Sequence, residues 1–512
     1  MRSRRTAWTR ALVAALGLGG IGVVVSGCGG IARPNVVLIV IDTARADRFS
    51  FDGYARQTSP AIAGLAAEGA VYERAYTPAP WTAPAHASLF TGLFPSTHGT
   101  DSGHLWLDDE WVTLAESLRD AGYRTVGYTG NPWVGTTYNF QQGFETYEEI
   151  WRSVPKGAAD AGSGLINLRI DRWLAWRDGN AEARRRPFFL FVNYLEPHLP
   201  YNPPEPERGR FLSPPIDAQA VDRLSRLKHP EEMTYILGVT SLGPDDLRIL
   251  SDLYDGEIAY ADRRVGEVVA LLRRHRLLDR TVVAITSDHG EEIGEHHFLD
   301  HKMNVYEPLL RIPMVLRYPP AVKGGQRIRS PVMLQDLHPT LLGLAGVRPP
   351  EGPAGAAARE SRPLPGVRGL SGPPPRDAGS SGAGPGEGVA SPEPLIAEFA
   401  RPVPFLEVMR EAAPGRDLSS WDRALVAFRQ GDEKLHWSSD GRHRLFDLAR
   451  DPGEEHDLAG SEPDRVQELA RRVEAWLGRP GVRPPLGLRG QAAPIPPRPA
   501  PRGPGIARAG AR

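Results

Sequence analysis

The sequence predicts an α/β fold, in which helices flank a large, mostly parallel sheet and a small antiparallel subdomain follows at the carboxyl end. Three continuous apolar runs, at residues 35–41, 187–194 and 281–286, are rich in β-branched or aromatic side chains. Such runs are typical of strands buried on both faces of a parallel sheet. Between the last two runs, residues 258–272 carry apolar side chains at helical spacing. This alternation predicts one large domain over residues 34–345.

Acidic and histidine side chains follow each of these strands. Asp42 comes directly after the first run, Glu196 and His198 follow the second, and Asp288 and His289 follow the third. The carboxyl ends of parallel strands meet at the edge of an open sheet where ligands bind. Carboxylates and imidazoles are common ligands of divalent cations. The sequence therefore predicts a metal site at this edge, formed by Asp42, Asp288 and His289.

The segment at residues 81–92, WTAPAHASLFTG, predicts a short helix that begins near Thr82. Pro84 suits the first turn of a helix, and the backbone N–H groups of that turn favour an anion. A neighbouring divalent cation would stabilise the alkoxide of Thr82, which makes this hydroxyl a candidate nucleophile. Taken alone, the pattern also describes a threonine that only caps a helix.

Further donors lie near the same predicted edge. His198, His301 and Lys302 could neutralise the oxygens of an anionic ester or protonate its leaving group. We expect one divalent ion, although Glu196, His198 and His301 could form part of a second site. The predicted substrate is an anionic ester.

Several motifs of the chain resemble, in order and spacing, those of the sulfatases, within the alkaline phosphatase superfamily. They are NVVLIVIDTARAD at 35–47, TAPAHASLFTG at 82–92, EPHLPY at 196–201, SDHGEEIGEH at 287–296 and HKMNVYE at 301–307. The segment LFDLARDPGE at 445–454 resembles part of the small carboxy-terminal subdomain of that family.

The resemblance implies roles for individual residues. Asp42, Asp288 and His289 would bind the metal, which is calcium in most sulfatases, with manganese or zinc as alternatives. Thr82 holds the nucleophile position. His198 and Lys302 fall where the family binds the ester oxygens and assists the leaving group, a role that His301 would share. His86 stands at the position of the arginine with which the family usually clamps the anion, and we expect it to be a catalytic residue in a departure from the family pattern. Asn131 could donate to a phosphoryl oxygen, as an asparagine does in the phosphodiesterases of the superfamily.

Two further departures from the family pattern bear on the reaction. Sulfatases carry a cysteine or serine at the nucleophile position and oxidise it to formylglycine, whereas this chain carries Thr82. Members of the superfamily that use threonine directly form a covalent phospho-enzyme. The second of the family's paired aspartates is Thr43, so one charged metal ligand is missing.

The sequence is compatible with three functions. The leading hypothesis is a metal-dependent hydrolase in which Thr82 attacks directly, at phosphorus in phosphoesters, phosphodiesters or phosphonates. The first alternative is a sulfuric ester hydrolase that works without formylglycine. The second alternative is a non-catalytic lipoprotein that binds glycans or lipids.

The amino terminus predicts export. Four arginines within the first ten residues precede an uncharged stretch at 11–25, as in a secretory signal peptide. The residues VSGC at 25–28 then resemble the lipobox of bacterial lipoproteins, in which the cysteine is lipidated. We therefore expect a signal peptide over residues 1–27, a lipid anchor on Cys28 and a membrane-anchored protein of the bacterial cell envelope.

Composition excludes other classes of protein. The formal net charge is -1 at pH 7, which argues against a nucleic-acid binder. A single cysteine cannot form an internal disulfide or a thiolate zinc site.

The rest of the chain divides by composition. Residues 346–394 are rich in proline and glycine and predict a flexible linker. Residues 395–477 predict the small subdomain, with three strand-like runs at 423–430, 434–438 and 442–448 and a helix at 463–477. Residues 478–512 predict a disordered tail rich in arginine and proline.

Overall fold

The computed structural model describes residues 33–349, 360–370, 394–480 and 482. The predicted signal peptide, Cys28, most of the linker and most of the tail lie outside these residues. Within the described residues, no helix is both long enough and apolar enough to span a membrane.

An eight-stranded sheet forms the centre of the described structure, in the order β12-β2-β11-β7-β1-β6-β4-β5. Its neighbouring strands are parallel, except that β11 runs antiparallel to both β7 and β2. The strands of the described chain are β1 Asn35–Ile41, β2 Ala70–Tyr72, β3 Ala75–Tyr76, β4 Arg124–Thr129, β5 Thr146–Glu149, β6 Phe188–Tyr194, β7 Thr281–Thr286, β8 Glu292–Ile293, β9 Leu299–Asp300, β10 Arg311–Ile312, β11 Met314–Arg317, β12 Gln326–Ile328, β13 Val332–Met333, β14 Leu395–Phe399, β15 Leu425–Gln430, β16 Glu433–Ser438 and β17 Arg444–Asp447.

The three apolar runs form the middle of this sheet, as predicted. Every residue of β1, β6 and β7 is buried, because helices cover both faces of a parallel sheet. The pairing sets Ile41 beside Tyr194 and Val40 beside Thr286. The side chains that follow these strands therefore emerge at one edge, and the predicted α/β fold is confirmed.

Helices occupy the connections between the strands. The predicted helix at 258–272 is the second half of the long helix α10, and its apolar stripe is buried. The helices of the described residues are α1 Pro60–Ala67, α2 Thr82–Thr91, α3 Pro95–His98, α4 Leu114–Asp120, α5 Ser163–Gly179, α6 Ala181–Arg185, α7 Glu207–Arg210, α8 Ala218–Leu224, α9 Glu231–Ile236, α10 Pro244–Arg274, α11 Glu307–Leu310, α12 Leu337–Leu344, α13 Val403–Ala412 and α14 Pro463–Leu477.

A four-stranded antiparallel sheet near the carboxyl end, in the order β14-β15-β16-β17, matches the predicted small subdomain. It is joined to the large domain by buried charged groups. Glu307 at the start of α11 binds Arg429 of β15 at 3.0 Å and Lys434 of β16 at 3.0 Å. Glu454 accepts the Glu307 backbone N–H at 2.6 Å and pairs with Lys434 at 2.8 Å. Because each of these largely buried charges has a partner, the ion pairs hold the small sheet against the large domain.

Residues 360–370 depart from the predicted flexible linker. Glu360 accepts hydrogen bonds from the Phe94 backbone N–H and the Thr97 hydroxyl, both at 2.8 Å. The Leu364 backbone N–H donates to Thr340 at 2.7 Å, and the Leu364 side chain is buried. This stretch is therefore held on the large domain, although its composition resembles that of a linker.

Candidate active site

Three of the predicted metal ligands meet at the carboxyl edge of the sheet. Asp42 follows β1, and Asp288 and His289 follow β7; all three side chains are fully buried. One ligand atom from each lies within 4.8 Å of the others. The sheet therefore brings together the residues that the sequence assigned to a divalent cation.

Hydrogen bonds orient this cluster towards a common point. Asp288 Oδ1 accepts the backbone N–H groups of Thr43 at 3.2 Å and His289 at 2.9 Å. The Nδ1 atom of His289 lies 2.9 Å from the Gly290 carbonyl, so a proton on Nδ1 leaves Nε2 with a free lone pair. Asp42 Oδ1 and Asp288 Oδ2 are buried and have no hydrogen-bond partner among the described residues. A divalent cation fits this site because it would satisfy both oxygens.

The two carboxyl groups differ in their electrostatic surroundings. Burial and then the charge of Asp288 raise the pKa of Asp42 to about 7. Burial also disfavours the charged form of Asp288, yet the charges of His289 and His86 hold its pKa below the ordinary value. A cation bound between the two carboxylates would favour the ionised form of both.

Thr43 sits where the family pattern has a second aspartate. Its φ of 52° lies in the left-handed region, which is unfavourable for a β-branched residue. The turn is held by the Thr43 N–H bond to Asp288 and by the Tyr254 hydroxyl, which donates to the Thr43 carbonyl at 2.7 Å. Strained backbone of this kind is common at functional sites.

Thr82 lies beside the metal cluster. It is the first residue of α2, and its side chain is buried. Its Oγ1 atom lies 3.3 Å from His289 Nε2 and 3.5 Å from Asn131 Nδ2. The extended residue Trp81 occupies the cap position, and no side chain caps this helix within the described structure. Thr82 therefore does not cap this helix.

Asn131 connects the nucleophile position to a metal ligand. Its Nδ2 donates to Asp42 Oδ2 at 2.6 Å and points towards Thr82 Oγ1, while its Oδ1 accepts the Trp133 backbone N–H at 2.8 Å. Asn193, which the sequence interpretation missed, also lies 3.4 Å from Asp42 Oδ2. These amides fix the orientation of Asp42.

His86 contacts the backbone of Thr82 and lies beside Asp288. Its Nδ1 is 3.0 Å from the Thr82 carbonyl and 3.4 Å from Asp288 Oδ2. Its ring packs at right angles to several phenylalanines; these are Phe90, Phe140 and Phe191. Burial opposes protonation of this ring, yet Asp288 raises its pKa above the ordinary value. His86 therefore hydrogen-bonds to the Thr82 backbone, and its ring lies beside Asp288.

The predicted donors His198, His301 and Lys302 gather next to the cluster. The ring centroid of His301 lies 4.4 Å from that of His289 and 5.0 Å from that of His198. His198 Nδ1 contacts the Leu199 carbonyl at 2.6 Å, which leaves Nε2 for another partner. Lys302 forms an ion pair with Asp300, so its ammonium is held in place beside the site.

Acidic residues next to these donors were missed by the sequence interpretation. Asp300 contacts both His301 and Lys302, and Glu291 lies 3.2 Å from His301. Glu196, a candidate for a second metal site, accepts hydrogen bonds on Oε1 from the Ala161 N–H and the Ser163 hydroxyl, whereas its Oε2 is buried without a partner among the described residues. It therefore anchors the start of α5.

Aromatic side chains lie next to the same site. The ring of Trp81 meets those of Trp133 at 5.9 Å and Phe405 at 6.0 Å, both edge to face. The Lys302 ammonium lies 5.6 Å from the Phe405 ring centroid. Phe405 belongs to α13, so the carboxy-terminal subdomain contributes to the surroundings of the site.

Comparison with known proteins now identifies the family. A family model described as Sulfatase matches residues 34–347, which is more than half of the chain. The chain belongs to the sulfatase family. Arylsulfatase K of Xenopus laevis is 26% identical over 486 residues, covering 88% of this chain and 83% of the relative. Choline-sulfatase of Rhizobium meliloti is 26% identical over 471 residues, covering 83% of this chain and 82% of the relative.

Solved structures of the sulfatase fold also resemble the chain. The phosphonate monoester hydrolase of Agrobacterium radiobacter superimposes with a TM-score of 0.65 at 23% identity, covering 86% of this chain and 95% of that one. A 2-O GAG sulfatase superimposes with a TM-score of 0.62 at 17% identity, covering 87% and 92%. As a member of the sulfatase family the chain is a hydrolase of sulfuric or phosphoric esters. Membership and the intact ligand cluster disfavour the non-catalytic alternative.

Proposed function

We propose that the protein hydrolyses phosphoesters, phosphodiesters or phosphonates and that Thr82 is its direct nucleophile. One observation carries this proposal: Thr82 Oγ1 lies between His289 Nε2 at 3.3 Å and Asn131 Nδ2 at 3.5 Å, beside the metal cluster. A hydroxyl in this place needs no oxidation to act. The only cysteine of the chain is Cys28, far from this position in sequence.

Individual residues have separate roles in the proposed reaction. Asp42, Asp288 and His289 would hold the divalent cation, whose chemistry at this place is to stabilise the Thr82 alkoxide and the ester oxygens. Thr82 Oγ1 loses its proton to solvent and attacks phosphorus in line, the bond from phosphorus to the leaving oxygen breaks, and the phosphoryl or phosphonyl group is left on Thr82. His198 or Lys302 gives a proton to the leaving oxygen. Water then attacks phosphorus in this adduct and loses a proton, the bond to Thr82 Oγ1 breaks, and Oγ1 takes up a proton. The product is phosphate from a monoester, a phosphate monoester from a diester, or a free phosphonate.

Charge placement supplies most of the expected rate enhancement. Phosphoryl transfer concentrates negative charge on the non-bridging oxygens, so preorganised positive groups stabilise its transition state. The Lys302 ammonium, held by Asp300, is such a group, and the neutral Asn131 amide, held by the Trp133 N–H, adds a hydrogen-bond donor. The Phe405 ring, whose centroid lies 5.6 Å from the Lys302 ammonium, suits an ester with an aromatic or apolar leaving group.

A sulfuric ester hydrolase that works without formylglycine is the second candidate. The relatives named arylsulfatase K and choline-sulfatase favour it. The same Thr82 position and metal ligands would serve attack at sulfur. The two candidates differ in the atom attacked, which makes substrate choice the decisive measurement.

A substrate panel tests the proposal. Aryl esters of sulfate, phosphate and phosphonate and an aryl phosphodiester would be assayed with Ca²⁺, Mn²⁺ and Zn²⁺. We expect kcat/KM to be higher for at least one phosphorus ester than for the sulfate, because Thr82 attacks directly. Sulfate turnover without any phosphorus-ester turnover would establish the second candidate instead.

We also propose that the protein is exported and anchored to the bacterial cell envelope by a lipid on Cys28. The arginine-rich start, the apolar stretch at 11–25 and the lipobox-like VSGC support this. We expect Cys28→Ala to move the protein from the membrane to the soluble fraction and to abolish metabolic labelling with a fatty acid. A variant that stays membrane-bound at unchanged mass would contradict the anchor.

A further inference from the structure

A second group of buried ligand-type side chains adjoins the active site. Glu291, Asp300 and His301 are 0%, 2% and 4% exposed. One ligand atom from each lies within 4.8 Å of the others. None of the three belongs to the first cluster, so the described residues contain two separate ligand sets of carboxylate and imidazole.

The contacts of this second cluster leave one oxygen unsatisfied. His301 Nδ1 lies 2.6 Å from Asp300 Oδ1 and 3.2 Å from Glu291 Oε1. Asp300 Oδ1 also accepts the His301 backbone N–H at 2.7 Å, and Asp300 Oδ2 pairs with Lys302. Glu291 Oε2 is buried without a hydrogen-bond partner in the described part of the chain. Leaving such an oxygen without a partner is costly, so the arrangement points to a missing ligand.

The backbone builds this cluster from a short hairpin. Strands β8 and β9 pair with Glu292 opposite Asp300, which brings Glu291 close to His301. Asp300 has a φ of 76°, a conformation that costs a non-glycine residue energy. The hairpin thus holds the ligands on a constrained backbone.

Glu291 lacks a cationic side chain of its own. Lys302 forms its ion pair with Asp300, and Glu291 lies within ion-pair distance of His301 but of no lysine or arginine among the described residues. A buried carboxylate is stabilised by a nearby positive charge, which a divalent cation bound beside Glu291 would supply.

We propose that Glu291, Asp300 and His301 bind a second divalent cation, of the kind that takes mixed carboxylate and imidazole ligands, such as Zn²⁺ or Mn²⁺. The His301 ring lies 4.4 Å from the ring of His289, a ligand of the first cluster. The second cation would therefore add positive charge at the side of the active site. The proposal does not depend on Thr82 being the nucleophile.

Metal stoichiometry tests this proposal without any assay of turnover. The purified protein would be loaded with Mn²⁺ or Zn²⁺, freed of excess metal and analysed by elemental mass spectrometry against protein concentration. We expect about two equivalents in the wild type, about one in Glu291→Gln and about one in Asp288→Asn. Glu292→Gln is a matched control, because Glu292 is an adjacent, fully buried acid outside both clusters, and it should keep both metals.

Two outcomes would overturn the second site. One is a wild type that binds a single equivalent, and the other is a Glu291→Gln variant that retains two. Should that variant fail to fold, anomalous scattering from wild-type crystals soaked in Mn²⁺ or Zn²⁺ decides the matter. A peak among Glu291, Asp300 and His301 supports the site, and a peak at the first cluster alone excludes it.

Discussion

Replacing Thr82 with alanine is expected to lower kcat/KM for the best phosphorus ester by at least about 10³-fold, or about 4 kcal/mol of transition-state stabilisation. The hydroxyl that lies 3.3 Å from His289 Nε2 is the atom that forms the new bond in the proposed reaction. Its removal leaves the metal ligands and Lys302 in place, so binding should change less than kcat. Steady-state kinetics of the purified variant would measure both parameters.

A matched control separates chemistry from damage to the helix. Thr91 is buried at the other end of α2, where its hydroxyl donates to the Ala87 carbonyl at 2.7 Å. Thr91→Ala removes the same atoms from the same helix away from the metal cluster, and it should keep most of the activity. A Thr82→Ala variant as active as Thr91→Ala would rule out the hydroxyl as nucleophile.

Trapping the covalent intermediate distinguishes direct attack by Thr82 from attack by water. Rapid quenching of the wild type in acid should trap a phosphoryl or phosphonyl group on Thr82, visible as added mass on the peptide that contains it. If a metal-activated water attacked the substrate instead, Thr82 would stay unmodified. The trapped peptide thus reports the mechanism directly, whereas the kinetic loss alone reports only that the hydroxyl matters.

The central sheet was predictable because its strands are long, apolar and buried on both faces. The runs at 35–41 and 281–286 coincide with β1 and β7, and the run at 187–194 begins one residue before β6. From these strands alone, the positions of Asp42, Asp288 and His289 followed. The carboxyl edge of a parallel sheet gathers such residues whatever the connecting loops do.

Short elements escaped prediction because they carry too few residues for a periodic pattern. Strands β8 and β9 have two residues each, so nothing in the sequence shows that Glu291 faces His301. Strand β14 and helix α13 follow a proline-rich segment, and their apolar residues were not assigned to elements. No sequence pattern therefore predicted that Phe405 lies near the site. The mostly apolar run at 395–399 could have indicated strand β14, which precedes the helix that carries Phe405.

The composition of residues 360–370 predicts a flexible linker, but tertiary contacts hold this stretch on the large domain. Residues 360–370 contain prolines and glycines typical of a linker, yet Glu360 and Leu364 bind the large domain through specific hydrogen bonds. A carboxylate that accepts two donors from α3 and its preceding residue fixes the chain more firmly than local propensity would indicate. Pairings of this kind join residues far apart in sequence, so no local pattern reveals them.

Replacing Asp288 with asparagine is expected to weaken divalent-metal binding at the first cluster by more than about 100-fold, the upper range for losing a residue that only supports a ligand. The change keeps the shape of the side chain but removes the negative charge. Asp288 Oδ1 receives two backbone N–H groups, and Oδ2 lies 3.3 Å from His289 Nε2. An amide nitrogen at Oδ2 cannot coordinate the metal, and the opposite rotamer would set that nitrogen against two N–H donors.

Activity should fall with the metal and recover in part when metal is supplied in excess. Calorimetric titration of Mn²⁺ would give the affinity, and turnover at rising metal concentration would show the recovery. Asp262→Asn is the control, because Asp262 is also a buried acid that accepts two backbone N–H groups, those of Ala61 and Ile62, away from the site. If both variants bound metal like the wild type, Asp288 would not be a ligand. Wild-type affinity in Asp262→Asn together with a large loss in Asp288→Asn would assign the effect to the ligand charge and not to the loss of a buried carboxylate as such.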